Sequence, residues 1–500
     1  MDWVANMSDP SGLALASNRP AKLAERVAEA LKRDISAIGW PVGQVFGSEA
    51  QLMERYGIGL ATLREAIRQL ERHGVANMRR GSGSGSGLVI SRPARDSAAL
   101  ALATYLELID VSFGELYEAR ALIESQAVLL AAERLDEPDI PRARALIELL
   151  GQEQPGCFNA ELRLLADVRD FICRVSGNAA ISLILEALQC VTVSGRTPRD
   201  AHARARVQTV FGQVRRLKIE LLEALIGGDG LRARERIQDK LRLTRELIIE
   251  LRGGLSHGPT SAMTELAAAP DFAFSRVYDK SAHRLAVVIA RNISASGLGS
   301  GARIGAEPDL QARHGVSRAV LREAVRTLEL HAIVRSRRGP GGGLLVATPD
   351  PSYTVRLAVE YLGQTQPLSQ HFHAVWKNLQ LAVAGLAAER LGAAGRQRLQ
   401  ALLDSLQRAG EAERLQRSGE LDLCLAELSG NRALALFVRL LGALAESYPS
   451  GAVAQWILQH LGEHQARLGA AVLAGDPSLA RRRMLDQLRL IETGFGLAED

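Results

Sequence analysis

Aromatic residues make up only 4% of this 500-residue chain. That is too few for an all-β sandwich, whose strands lean on aromatic and β-branched pairs, and the abundance of Ala, Leu and Arg suits helical layers instead. Cysteine is equally scarce. Cys157, Cys173, Cys190 and Cys424 form no C-x-x-C pair and have no histidine spacing for zinc, which excludes a disulfide scaffold and reads as thiols of a reducing compartment. No run of some 18 apolar residues occurs, and Met1–Pro10 carries two acids without an apolar stretch. Neither a transmembrane helix nor a signal peptide is therefore expected, and a cytoplasmic location without a membrane partner follows. Paired carboxylates, a nucleophile beside a base, and a His/Cys/Asp/Glu metal cluster are missing too, so the expectation is a non-enzyme with no metal and no cofactor. Gly254-Leu255-Ser256-His257-Gly258 fits the G-x-S-x-G pattern, but a helix precedes it and a proline follows, where a nucleophile elbow needs a strand and then a helix. It reads as a linker.

What is present is 47% hydrophobic and 23% charged, the balance of a globular protein with several domains. The net charge of +5 is unevenly spread. Residues 21–95 hold twelve Lys/Arg against seven Asp/Glu, and residues 276–348 hold twelve against five, so the remainder is acidic. Two basic segments of this kind can face a polyanion.

The second segment contains Gly315-Val316-Ser317-Arg318-Ala319-Val320-Leu321-Arg322-Glu323-Ala324-Val325-Arg326-Thr327-Leu328. Ser317 is a good helix N-cap, and Val320, Leu321, Ala324, Val325 and Leu328 recur at helical spacing. Arg318, Arg322 and Arg326 then line the opposite face, four residues apart. A short capped helix offering guanidinium groups outward is what the recognition element of a helix-turn-helix needs. In the first segment helices are expected from Lys22 to Gly39, from Ser48, where Gln51 completes a capping box, to Tyr56-Gly57, and from Leu60 to His73. Strands Val75–Met78 and Leu88–Ile90 follow, joined by Arg79-Arg80 and a Gly-Ser run, which completes a winged helix-turn-helix.

The same order returns downstream. Gly57 corresponds to Gly315, Arg64-Glu65-Ala66 to Arg322-Glu323-Ala324, and Arg79-Arg80-Gly81 to Arg337-Arg338-Gly339, all at an offset of 258. Beyond the wing, Ala131-Ala132-Glu133-Arg134 matches Ala387-Ala388-Glu389-Arg390 at 256, Ser176-Gly177-Asn178 matches Ser429-Gly430-Asn431 at 253, and Gly228-Asp229 matches Gly475-Asp476 at 247. The fold class expected is mainly α: two winged helix-turn-helix domains, each followed by an all-α bundle. The boundaries expected are a disordered tail at 1–20, winged helices at 21–92 and 276–348, bundles at 96–252 and 352–497, and a linker at 253–275.

On these motifs the chain resembles the GntR family of bacterial transcription regulators, specifically the FadR-like subgroup with a C-terminal helical FCD domain, present as a tandem repeat. Gly315-Val316-Ser317-Arg318 with Leu321-Arg322-Glu323-Ala324 carries the resemblance closely; Gly57 with Leu63-Arg64-Glu65-Ala66 carries it in part. The resemblance implies a double-stranded DNA operator as partner, an intramolecular pseudo-dimer, and a small organic acid as effector. Ser317, Arg318, Arg322, Arg326, Arg337 and Arg338 are the expected DNA-binding residues of the second repeat, with Arg64, Arg68, Arg79 and Arg80 in the first. The first repeat has Gly59 and Leu60 where the second has Ser317 and Arg318. The second is thus read as the base reader and the first as mainly a backbone holder. A sensor or interaction protein that has lost DNA binding is the alternative.

Many such bundles hold a metal on one Asp and three His. Those positions fall here on Leu165, with Asp167 nearby, Arg169, Lys218 and Lys240, and in the second repeat on Ser418, Asp422, Gln465 and Gln487, with His464 one place off. Metal binding is not expected from such ligands. Lys218, Lys240 and His464 are instead the candidate effector-binding residues.

Overall fold

The computed structural model describes residues 20–38, 43–72, 75–79, 86–91, 95–152, 158–192, 201–251, 281–337, 342–365, 370–410, 413, 417–446 and 455–494. Residues 1–19 of the expected tail, the linker at 253–275 with its G-x-S-x-G, the Gly-Ser run from Gly81 to Gly85, Arg80 and Arg338 lie outside the described residues, while Pro20 already belongs to the first helix. The chain divides into two compact units, Met1–Arg95 and Asp96–Asp500.

The first unit is a winged helix: α1 (Pro20–Ala37), β1 (Val45–Gly47), α2 (Glu49–Tyr56), α3 (Leu60–Arg72), β2 (Ala76–Arg79) and β3 (Gly87–Ile90). The expected capping box is in place, with Gln51 N donating to Ser48 Oγ at 3.3 Å and Ser48 N to Gln51 Oε1 at 2.9 Å. Gly57 ends α2 in the left-handed conformation, φ +61°, which a glycine adopts without steric cost. Helix α3 buries Leu63, Ala66, Ile67 and Leu70 against Val27, Leu31 and Ile35 of α1 and Leu88 and Ile90 of β3. The sheet is antiparallel in the order β1-β3-β2. At the wing's base Gly87 has φ +136°, and a Cβ there would stand 2.6 Å from the Gly47 carbonyl oxygen.

The second unit opens with α4 (Arg95–Leu108) and a bundle of α5 (Phe113–Arg134), α6 (Ile140–Gly151), α7 (Phe158–Val175), α8 (Ala179–Thr192), α9 (Ala201–Ile226) and α10 (Gly230–Leu251). A second winged helix follows: α11 (Ser281–Ala295), β4 (Arg303–Gly305), α12 (Glu307–His314), α13 (Arg318–Leu330), β5 (Val334–Arg337) and β6 (Gly343–Val346). Its sheet order is β4-β6-β5, and Gly343 stands to the Gly305 carbonyl as Gly87 stands to Gly47. The second bundle comprises α14 (Ser352–Thr365), α15 (Gln370–Arg390), α16 (Ala393–Arg408), α17 (Ser418–Leu428), α18 (Arg432–Glu446), α19 (Gln455–Leu473) and α20 (Pro477–Gly494). The fold is thus mainly helical, with two winged helices and two helical bundles. Among the described residues no helix is long and apolar enough to cross a membrane.

The two bundles share one continuous apolar core, running from Leu102, Leu116, Ile123 and Ile184 into Val383, Leu425, Phe437 and Leu441. Helix α5 packs on α15 and α18 across the seam. Polar contacts then fix the register. Arg390 Nη2 donates to Glu118 Oε1 at 2.6 Å, and Asn431 Nδ2 to Glu118 Oε2 at 2.7 Å and to the Glu115 carbonyl at 3.0 Å. Arg432 grips both Glu115 carboxylate oxygens, at 2.9 and 2.7 Å, and also donates to the carbonyls of Ile109 and Asp110. Burial would raise the Glu115 carboxyl, but hydrogen bonds from Arg432 and Ser112 bring it down to about 2.

Helix α4 also packs outside the first bundle. Leu108 lies in the core of the second winged helix, Glu107 meets His283 at 2.8 Å, and the Ala101 carbonyl accepts from Thr354 Oγ1 at 3.3 Å. Thr354 Oγ1 also meets Nδ1 of His331, at 3.1 Å, whose buried ring is held down to about 4 by desolvation and by His283. An amphipathic pattern reveals which face of a helix is covered, not which repeat covers it.

Replacing Arg432 by Met removes the partner of a carboxylate that is 11% exposed. Because the guanidinium itself is half-exposed, the loss is discounted to about 2–4 kcal/mol. Urea unfolding of the variant at pH 7 checks it, and a midpoint equal to the wild type contradicts the role given to this contact.

Candidate nucleic-acid interface and bundle cores

Ser317 caps α13 from an extended backbone, its Oγ accepting from Val320 N at 3.4 Å. Leu321, Ala324 and Leu328 turn inward onto Leu285 and Ile289 of α11, so Arg318, Arg322 and Arg326 are all exposed on the outer face. The first two are tied together. Nε of Arg318 and Nε of Arg322 both donate to Oε1 of Glu307, each at 3.0 Å. The hydrogen bond from Arg318, with Arg322 adding to it, holds the Glu307 carboxyl below its usual range. Glu307 is a residue that the sequence reading missed, although the repeat marks it, since Glu49 occupies the same register 258 residues earlier. Arg337 is exposed at the end of β5, opposite Gly343.

In the first repeat Arg64 Nε reaches Glu49 Oε1 at 3.1 Å, and Arg68 pairs with Glu65 at 2.8 Å. Arg64, Arg68 and Arg79 are exposed. Leu60 opens α3 and is 37% exposed. Glu49 therefore holds one guanidinium where Glu307 holds two, and an apolar side chain replaces the second.

The two bundle cores carry polar groups of opposite character. In the first, Lys240 Nζ donates to Glu124 Oε2 at 2.7 Å, and Arg120 reaches Glu124 Oε1 at 2.6 Å. Burial would raise the Glu124 carboxyl, but Lys240 and Arg120 outweigh it and bring it to about 2. Lys240 itself is lowered to about 8, by burial and by the neighbouring Arg120 and Arg169, against the pull of Glu124. Lys218 is buried and donates to the Leu165 carbonyl. Desolvation with Lys240 close by pushes its pKa well below the ordinary lysine range. Arg169 spends Nε and Nη2 on Asp170. Asp167 is exposed and turned away from this cluster, which corrects the expectation that it could stand in for a ligand at Leu165. Glu124 and Arg120 went unnoticed in the sequence, where their i, i+4 spacing on a hydrophobic helix was the available signal.

In the second bundle three of the four corresponding side chains are uncharged amides. Gln380, Gln465 and Gln487 are 0%, 2% and 3% exposed. Asp422 stands beside Gln380, and desolvation raises its carboxyl to about 7. Neither cluster suits a metal. The first offers cations where a divalent ion needs neutral imidazoles or carboxylates, and the second offers one carboxyl among amides. Among the described residues no three His, Cys, Asp or Glu side chains converge. His464 is half-exposed, near Arg467 and Asp486, while its neighbour Gln465 takes the inward position.

Glu124→Gln preserves shape but leaves two buried cations without a counter-charge, at a cost of about 3–5 kcal/mol. Since the folded-state pKa is depressed, the carboxylate's contribution is full above about 4.5 and lost as the pH falls towards about 2. Urea midpoints at pH 7 and an acid titration check both statements; a variant within about 1 kcal/mol of wild type at pH 7 contradicts them.

Comparison with known proteins agrees with this architecture. Residues 23–85 match the model of the bacterial regulatory proteins, gntR family, and residues 115–243 and 373–490 each match the FCD domain. The HTH-type transcriptional regulator RmpR of Mycobacterium gastri is 27% identical over 37% of this chain and 59% of its own length. The Exu regulon transcriptional regulator of Escherichia coli K12 is 29% identical over 34% of this chain and 62% of its own. The Uxu operon regulator of Haemophilus influenzae is 30% identical over 26% and 47%. The chain thus spans about half to six-tenths of the length of the curated relatives it matches. These matches are transcription regulators, not enzymes. The chain carries a domain of the gntR family of bacterial regulatory proteins, together with two FCD domains.

Proposed function

We propose that this protein is a sequence-specific DNA-binding transcription regulator in which one chain supplies two unlike recognition helices. The observation that carries the reading is the exposed triad Arg318, Arg322 and Arg326 on the capped helix α13. On an operator, α13 enters the major groove, and Arg318 and Arg322 exchange Glu307 for guanine O6 and N7. Arg326, Arg337 and Arg338 meet phosphates. Helix α3 lacks the second arginine, and Arg64, Arg68, Arg79 and Arg80 hold backbone there. The seam of Glu115, Glu118, Arg390 and Arg432 supports an intramolecular pseudo-dimer, with the bundles as its frame and as the sensing domains for a small molecule. An organic acid at Lys240 would have to displace Glu124, which already occupies that lysine.

Arg318→Ala is expected to weaken operator binding by about 1–3 kcal/mol and to relax one base position. Leu60→Ala leaves specificity nearly unchanged. Titration of both variants against single-base operator variants checks this, and equal relaxation by the two substitutions overturns the division of labour.

The footprint is expected to be asymmetric, because unlike helices remove the constraint that makes operators of two-fold dimers palindromic. Sedimentation with footprinting tests it. Two chains protecting a perfect palindrome would refute the single-chain reading.

A further inference from the structure

Buried polar atoms in folded proteins almost always have partners, because leaving one without a hydrogen bond costs its full desolvation. In the second bundle several such atoms lack partners close together. Both Nε2 and Oε1 of Gln380, both of Gln465, Oε1 of Gln487 and Oδ1 of Asp422 are buried without a hydrogen bond. These side chains come from α15, α17, α19 and α20, and α15 packs against the other three. Their counterparts in the first bundle, at the repeat offsets of 256, 253 and 247, are Glu124, Arg169, Lys218 and Lys240. There Lys240 meets Glu124 at 2.7 Å, and Lys218 lies within electrostatic reach of Lys240, Glu124 and Arg169. The four positions therefore surround one place in the fold. Gln465 also borders a cavity of about 130 Å³ between α16 and α19, lined by Leu403, Leu406 and Ala466.

The chemistry of the open atoms selects the ligand. The open amide nitrogens and oxygens give both donors and acceptors, with no cation among these four side chains to neutralise an acid and no set of anionic ligands for a metal. A hydroxyl group is both donor and acceptor, and several on one small molecule satisfy such a lining. We propose that the second bundle binds an uncharged polyhydroxylated small molecule between Gln380, Asp422, Gln465 and Gln487, one per chain. This rests on the reading of the bundles as sensing domains. The first bundle makes the contrast: there a carboxylate of the chain itself, Glu124, fills the corresponding place and pairs with the cations around it.

The test uses the full chain, melted alone and with myo-inositol, D-glucitol or D-glucose at millimolar concentration, beside D-gluconate and D-glucuronate. Binding raises the melting temperature by mass action. At least one uncharged compound is expected to raise it by about 2 °C or more, with one site per chain by calorimetry, and neither acid is expected to match it. Gln465→Leu replaces an amide neither of whose polar atoms has a partner, and is expected to melt no lower than wild type without ligand; Gln487→Leu replaces an amide whose oxygen has none; both are expected to fold and to lose the ligand's shift. No shift from any uncharged member, a shift that survives both substitutions, or a larger glutamine-dependent shift from the acids would overturn the proposal. Operator binding measured on the same preparations keeps the cases apart: intact DNA binding without a polyol response fails this inference alone, and lost DNA binding fails the regulator reading.

Discussion

The Glu115 carboxylate is where the two repeats are locked together. It closes the capping box of α5, accepting from Ser112 N at 2.7 Å, and the same oxygens take the Arg432 guanidinium from the other repeat. A helix start and an inter-repeat contact thereby depend on one side chain. Around it the apolar core runs unbroken from one bundle into the other, so neither bundle presents a separate surface at this seam. Apolar burial supplies most of the association, and the directional contacts of Arg390, Asn431 and Arg432 set the register. The second winged helix is drawn into the same body through Leu108, Glu107 and His283.

Much of this was legible in the sequence because it is local. Ser48, Gln51 and Ser317 sit at helix starts whose capping chemistry acts over three residues, and the stripe Leu321, Ala324, Leu328 fixes which arginines face outward. The offset of 258 also sets Glu307 over Glu49, a match that the sequence reading missed, and its role as a clasp for Arg318 and Arg322 rests on the folded geometry. What was not legible is long-range. Nothing in the pattern of α4 indicates that Leu108 packs in a winged helix some 200 residues downstream. Nor does the sequence around Glu124 reveal that Lys240, 116 residues away, neutralises it. The inward position of Gln465, with His464 turned out, depends on the rotation of a single helix, which spacing alone left one residue uncertain.

Duplication lets two copies of a site diverge while the frame is kept. The glycine landmarks are retained in matching conformations, Gly57 with Gly315, Gly177 with Gly430, and Gly228 with Gly475. The exposed helix-start residue and the buried polar groups are not retained. Leu60 stands for Arg318 at the start of α3 and α13, and a charged cluster stands for amides in the bundle cores. Backbone geometry constrains the first set. The second set is free to specialise, since one chain carries both versions and no symmetry forces them to be alike.

Selection of bound fragments from a random DNA library by the full chain, followed by sequencing, tests the central claim most directly. The account predicts an enriched motif with one sharply defined half-site, containing guanines for Arg318 and Arg322, beside a weakly defined partner. Enrichment of a symmetric palindrome, or no enrichment over the starting library, would contradict it.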